Sequence, residues 1–126
     1  MNKSVINTSK APAPIGPYNQ AIISNNLVFI SGQIPLNAAT NELVSGDIAT
    51  ETHQVMRNLH EILEAAGINF NHVIKSTIFL TDMNLFASVN EVYGSYFSAD
   101  YPARETVAVK GLPKNVNVEI SMIATL

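Results

Sequence analysis

The chain has 126 residues, 47% of them hydrophobic, which suits one domain with a buried core. It has no cysteine, so a disulfide framework, a thiol nucleophile and a thiolate metal site are all excluded, and no apolar run approaches the ~20 residues needed to cross a bilayer. Charged residues make up only 13%, about half the roughly 25% usual in soluble domains; the net charge of −3, with seven Lys and Arg scattered singly, argues against a nucleic-acid surface.

The opening MNKSVINTSK has no hydrophobic stretch of signal-peptide type, so a cytoplasmic location is expected. The first 17 residues end in APAPIGP, a proline-rich arm incompatible with regular helix or central strand. AIIS and LVFIS, separated by Asn25-Asn26, predict a hairpin, and residues 32–46, rich in Gly, Pro and Asn, predict a long loop. From Asp47 the period changes. Ile48, Thr52, Val55, Leu59, Ile62 and Ala66 form one apolar stripe, with Asp47 placed to cap the helix and Gly67 to end it. HVIKSTIFL predicts a strand. A second helix of similar length is expected to open at Asp82 or Asn84, with Phe86, Val89, Tyr93 and Tyr96 or Phe97 inward, and to close before Pro102. ETVAV and VNVEISMIATL predict two strands folded about GLPKN. The order β-β-α-β-α-β-β predicts a single α+β domain over 1–126, with a mixed sheet and both helices on one face. Sparse charge further predicts burial of surface against copies of the same chain.

Few residues are placed for chemistry. No G-x-G-x-x-G or P-loop motif supports a phosphate site. The histidines are His53, His60 and His72; the first two lie seven apart on the first helix with no acidic third ligand at metal spacing, and all are expected as solvated or capping residues. Arg104, in YPARET, is one of only two arginines. In VNVEISMIA, Val116, Val118, Ile120 and Met122 alternate with Asn117, Glu119 and Ser121, so Glu119 lies on the face away from the core. Ser31 ends an apolar strand beside Gly32, which allows close approach to the backbone, and Tyr18 follows the rigid Ile15-Gly16-Pro17 turn. Each, taken alone, also fits an ordinary structural role: a solvent-face carboxylate, a surface ion pair or a packed phenol.

Taken together, APIGPYNQA, FISGQIPL, NEVYGSYF, YPARETVAV and LPKNVNVEISMIA resemble the successive signature segments of the RidA/YjgF family of reactive-intermediate deaminases. The resemblance implies a chorismate-mutase-like fold and a homotrimer with ligand clefts between subunits. It also implies cofactor-free hydrolysis of 2-aminoacrylate or 2-iminobutanoate-type enamines and imines to 2-oxo acids and ammonia. By it, Arg104 binds the substrate carboxylate and Glu119 activates water; Tyr18, Ser31, Gly32 and Asn90 line the pocket, and Thr106 holds the water through its backbone carbonyl. The residue types suit this chemistry. A guanidinium grips a carboxylate with two prongs, and one carboxyl of suitable pKa can deliver water to C=N and a proton to nitrogen. A non-catalytic module binding small carboxylic acids at the same clefts is the alternative. The ribonuclease or translation-inhibitor role attached to some relatives is disfavoured by the acidic balance.

The chain departs from the family's common arginine-serine-cysteine at Arg104-Glu105-Thr106, and strand alternation predicts that Glu105 points away from Arg104. Folding the last two strands as a hairpin about Pro113 would set Arg104 opposite Met122 and place Arg104 and Glu119 on opposite faces. Either Arg104 then lies before the regular strand, or the two residues meet across a subunit boundary.

Overall fold

Strand pairing starts ahead of the proline arm. In the computed structural model, which describes residues 2–126, Ser4–Ile6 form an edge strand, β1, antiparallel to β2, Ala21–Ser24. β2 turns at Asn25-Asn26 into β3, Leu27–Gln33. Both asparagines have positive φ, 50° and 65°, as a two-residue hairpin turn of the primed type requires and asparagine tolerates. The arm is fastened by the buried amide of Gln20. Its Nε2 donates to the carbonyls of Thr8, Ala11 and Pro12 at 3.0, 3.2 and 2.8 Å, and its Oε1 accepts from the Thr8 amide. Prolines cannot supply a ladder, so one side chain satisfies the backbone instead.

The segment expected as plain loop contains a small separate hairpin, β4 (Leu36–Asn37) with β5 (Glu42–Leu43). It is tied down by Asn58, whose buried amide donates to the carbonyls of Ile34 and Leu36. Helix α1 follows over Ile48–Ala65. The Asp47 carboxylate accepts from the Thr50 amide at 2.8 Å, which holds that carboxyl below its ordinary pKa, and Gly67, at φ +78°, ends the segment. Thr52, Val55, Leu59 and Ile62 of the predicted stripe are fully buried, joined by Met56 and Leu63.

β6 covers Val73–Leu80 and is followed by a 3₁₀ turn at Met83–Leu85, capped by Asp82, and by helix α2, Phe86–Gly94. The helices are therefore not of similar length: α1 has 18 residues and α2 has 9. The expected inner stripe is real, but its last members lie beyond the helix. Phe97 is buried against Tyr93, with ring centroids 4.9 Å apart, while residues 95–102 unwind through Asp100 at φ 51° towards Pro102.

The last two strands, β7 (Ala103–Ala108) and β8 (Val118–Thr125), do not form the expected hairpin. The sheet order is β1-β2-β3-β8-β6-β7, so β6 lies between them; β7 runs parallel to β6, and β8 pairs antiparallel with both β3 and β6. Burial explains the choice. Every inward residue of β8 (Val118, Ile120, Met122, Ala124) is at most 2% exposed, which demands neighbours on both edges. β7 has no buried residue and takes the outer edge, reached by the crossover through α2. The core fills the space between one sheet face and the helices, and among the described residues nothing layers over the other face of the sheet.

Candidate active site

Arg104 stands on the edge strand β7, in register with Ser76 of β6 and, beyond it, Met122 of β8. Ser76 and Met122 are buried under the helices, so Arg104 faces the helix side. There its Nη1 donates to Asn90 Oδ1 at 2.6 Å, and its guanidinium carbon lies 5.5 Å from the centre of the Phe86 ring and 5.3 Å from that of Tyr93. Each such cation–ring contact contributes about 0.5–1 kcal/mol at an exposed site. The three contacts come from one stripe of α2: Phe86, Asn90 and Tyr93 lie at i, i+4 and i+7. Tyr93 is itself fixed, since its hydroxyl donates to the fully buried Ser76 Oγ at 2.9 Å. Burial pushes the Tyr93 phenol above its ordinary pKa, against the opposing effects of the Ser76 hydrogen bond and the Arg104 charge, so the ring stays neutral beneath the cation. The guanidinium thus borders a cleft of about 420 Å³ lined by Asn90, Tyr93, Gly94, Tyr101, Pro102 and Arg104.

Glu105 points away, as alternation predicts. It pairs with Lys75 at 3.0 Å on the opposite face and so does not compete for Arg104. Thr106 returns to the helix face beside Ile78, its hydroxyl buried and without a hydrogen-bond partner.

Glu119 belongs to the other face of the sheet, in register with Phe79 and Val107. It is half-buried, and burial pushes its carboxyl pKa above the ordinary value. Its neighbour is a β-bulge. Between Ile30 and Gln33 the β3–β8 register slips, leaving Ser31 and Gly32 opposite the single residue Ser121. A Cβ built on Gly32 would lie 2.8 Å from Glu119 Cδ, so only glycine leaves the carboxylate its place. Ser31 Oγ donates to the Asn19 carbonyl at 2.6 Å, which fixes the backbone next to Tyr18; the Tyr18 ring is 48% exposed.

The sequence-derived residues therefore form two groups. Arg104, Asn90 and Thr106 share the helix side of the β6–β7 edge, whereas Glu119, Ser31 and Gly32 gather at the β3 bulge, with Tyr18 one residue before the Asn19 carbonyl that Ser31 binds. Arg104 and Glu119 project from opposite faces and do not meet within one chain. Sequence reasoning did not single out Phe86 and Tyr93, whose rings lie beneath the guanidinium, or Tyr101, which lines the cleft. For Tyr93 a signal lies in NEVYG, where helical spacing puts it on the same side as Asn90.

The histidines have structural partners. His53 Nδ1 lies 2.8 Å from Tyr96 Oη, His60 contacts Glu64, and His72 completes a capping box with Asn69. Among the described residues no group of three or more His, Asp or Glu is arranged to hold a metal ion. Among the described residues no helix is long and apolar enough to cross a membrane.

Residues 8–126 match the family model described as Endoribonuclease L-PSP. A RutC family protein of Pyrococcus horikoshii is 55% identical over 122 residues, covering 97% of each chain. The 2-iminobutanoate/2-iminopropanoate deaminase of Mus musculus is 48% identical over 122 residues, covering 97% of this chain and 90% of its own. A solved structure of a Rid family protein from Yersinia pestis superposes with a TM-score of 0.97 at 46% identity, over 99% of this chain and all of that one.

Proposed function

This chain belongs to the L-PSP family, to which the Rid proteins and the 2-iminobutanoate/2-iminopropanoate deaminases it resembles are related, and from that premise we propose that it hydrolyses reactive enamines and imines of α-amino acids to 2-oxo acids and ammonia. The observation that carries the reading is an arginine oriented by Asn90 on one face of the sheet and a half-buried glutamate of raised pKa on the other. In this reading three copies of the chain assemble so that Arg104 of one subunit faces Glu119 of the next.

The uncovered sheet face supports assembly. Val5, Ile22, Phe29 and Ile123 form one cross-strand row on it, and Glu119, Phe79 and Val107 form another. Val5, Phe29 and Val107 are 51%, 44% and 44% exposed, and a large apolar residue standing open on a sheet face is a common mark of an interaction surface. Covering that face with neighbouring subunits buries it and brings the second half-site within reach.

The chemistry then divides between the halves. Arg104, oriented by Asn90 and the two rings, binds the substrate carboxylate through the prongs it does not spend on Asn90. Its orientation presents the C=N carbon to the bulge. Glu119, held above the usual carboxylate pKa by burial, removes a proton from water as that water attacks the carbon. It then returns a proton to nitrogen, and the tetrahedral carbinolamine collapses to 2-oxo acid and ammonia. An enamine is first protonated at carbon to the same imine. No metal or cofactor is required, because the imine carbon is already electrophilic.

Glu119 favours catalysis over simple binding, since a half-buried acid beside a carboxylate ligand would weaken affinity without chemistry to justify it. The direct test generates 2-iminobutanoate with threonine dehydratase and follows 2-oxobutanoate formation. The protein should accelerate release of the oxo acid above the spontaneous rate, and no acceleration over a range of enzyme concentrations would refute the reading.

A further inference from the structure

Gly94 is the last residue of α2, in helical conformation, and nothing in the fold requires a glycine there. Its φ is not positive, and a Cβ built on it would meet no atom within 4 Å. Glycine in a helix costs up to about 1 kcal/mol relative to alanine, so this position gives up stability without conformational reason. What the missing side chain leaves is space, and that space lies in the Arg104 cleft. Gly94 is four residues after Asn90, one helical turn further along the stripe that holds the guanidinium. The facing wall is apolar: Pro102 and Tyr101, the latter 65% exposed with its ring edge-on to Phe97 at 6.3 Å.

We propose that Gly94, with Tyr101 and Pro102, forms the side-chain subsite of this cleft and sets the size of the imino acid it accepts, admitting large apolar substituents such as those derived from leucine or phenylalanine. The inference rests on the reading that Arg104 binds the substrate carboxylate. One helical turn is about 5.4 Å. With carbon–carbon bonds of about 1.5 Å, the methyl of 2-iminopropanoate ends roughly 2.5 Å from its carboxylate carbon, short of Gly94. A branched or aromatic side chain spans that turn and meets the glycine. A residue with a long side chain at position 94 would close the subsite while leaving Arg104, Asn90 and the short end of the cleft untouched.

The test compares wild type with Gly94→Ala and Gly94→Leu in two measurements. Calorimetry with pyruvate and with phenylpyruvate, the stable oxo acids, reads the subsite whether or not the protein is catalytic. Hydrolysis of the corresponding imines, generated in place by an amino-acid oxidase, reads turnover. Gly94→Leu should weaken phenylpyruvate binding by about tenfold or more and lower turnover of the phenylalanine-derived imine to match, with pyruvate and 2-iminopropanoate changed less than about twofold. Gly94→Ala should raise the thermal midpoint by about 2 °C or more. Equal effects on small and large ligands, or none on either, would overturn the inference, as would a lowered midpoint in the alanine variant. Loss of the oligomer in Gly94→Leu would assign the space to a neighbouring subunit and overturn it as well. If the wild type turned over neither imine yet discriminated the oxo acids as stated, the subsite would stand and the deaminase reading would fall.

Discussion

Replacing Glu119 by glutamine changes charge and proton exchange while nearly preserving shape. The carboxyl is half-buried on β8 and packs against Gly32, and burial raises its pKa above the ordinary 4.5. A raised carboxyl pKa means that the ionised form is disfavoured in the folded protein. The associated stability is fully present below about pH 4.5 and is lost as pH rises through the folded-state value. Glutamine carries no such penalty, so Glu119→Gln should be at least as stable as wild type at pH 7, with the advantage vanishing below about pH 4.5. Hydrolysis should nonetheless fall by on the order of 10²–10⁴, the range for losing a general acid/base, while affinity for a stable 2-oxo acid is unchanged or tighter. In the wild type, the acid limb of the pH–rate profile should lie above 4.5, because the base form is needed and burial delays its appearance. The assays are the threonine dehydratase-coupled rate, calorimetry with 2-oxobutanoate and denaturant unfolding at several pH values. Wild-type turnover in the glutamine variant would remove Glu119 from the mechanism; parallel loss of binding and turnover would make it a structural carboxylate.

Arg104→Lys should lose nearly as much kcat/KM as Arg104→Ala, since an ammonium keeps the charge but neither the fork nor the Asn90 geometry; near-normal steady-state kinetics would contradict this. Tyr93→Phe should retain the ring under Arg104 but release its anchor at Ser76, raising KM several-fold with a smaller change in kcat, whereas an unchanged KM would show that the hydroxyl does not position the arginine. Gly32→Ala should displace the Glu119 carboxylate and cut turnover at least tenfold with little loss of 2-oxo acid binding, and wild-type rates would show that the bulge tolerates a methyl group. Prolonged dialysis against EDTA should leave the rate unchanged; loss of activity restored by a divalent ion would require ligands other than those considered.

Local signals in the sequence were strong wherever one residue type had one physical use. Asp47 and Gly67 delimit α1, Asn25-Asn26 makes the hairpin turn, and the alternation through Glu119 follows the burial of β8 residue by residue. Pairing order was not legible, because GLPKN reads equally well as a hairpin turn or as a longer connection. What decides is the demand of the inward residues of β8 for two neighbours, a three-dimensional property. The length of α2 was misread for a related reason: Phe97 continues the apolar stripe but packs from irregular backbone. At the site, Arg104 and Glu119 stood out as charges in a chain with few. The aromatic cradle of Phe86 and Tyr93 looked like core, which it also is, since one face of each ring packs inward while the guanidinium lies over them. Gly94 carried no signal until the empty space beside it was visible.

The central claim is that the site is shared, with Arg104 from one subunit and Glu119 from the next. Subunit mixing tests it most directly. Arg104→Ala and Glu119→Gln should each be nearly inactive alone. When equal amounts are unfolded and refolded together, random trimers should place an intact Arg104 beside an intact Glu119 at about a quarter of the interfaces, and roughly that share of wild-type activity should return. Activity no higher than the mean of the two parents would contradict a shared site and require both groups to act within one chain.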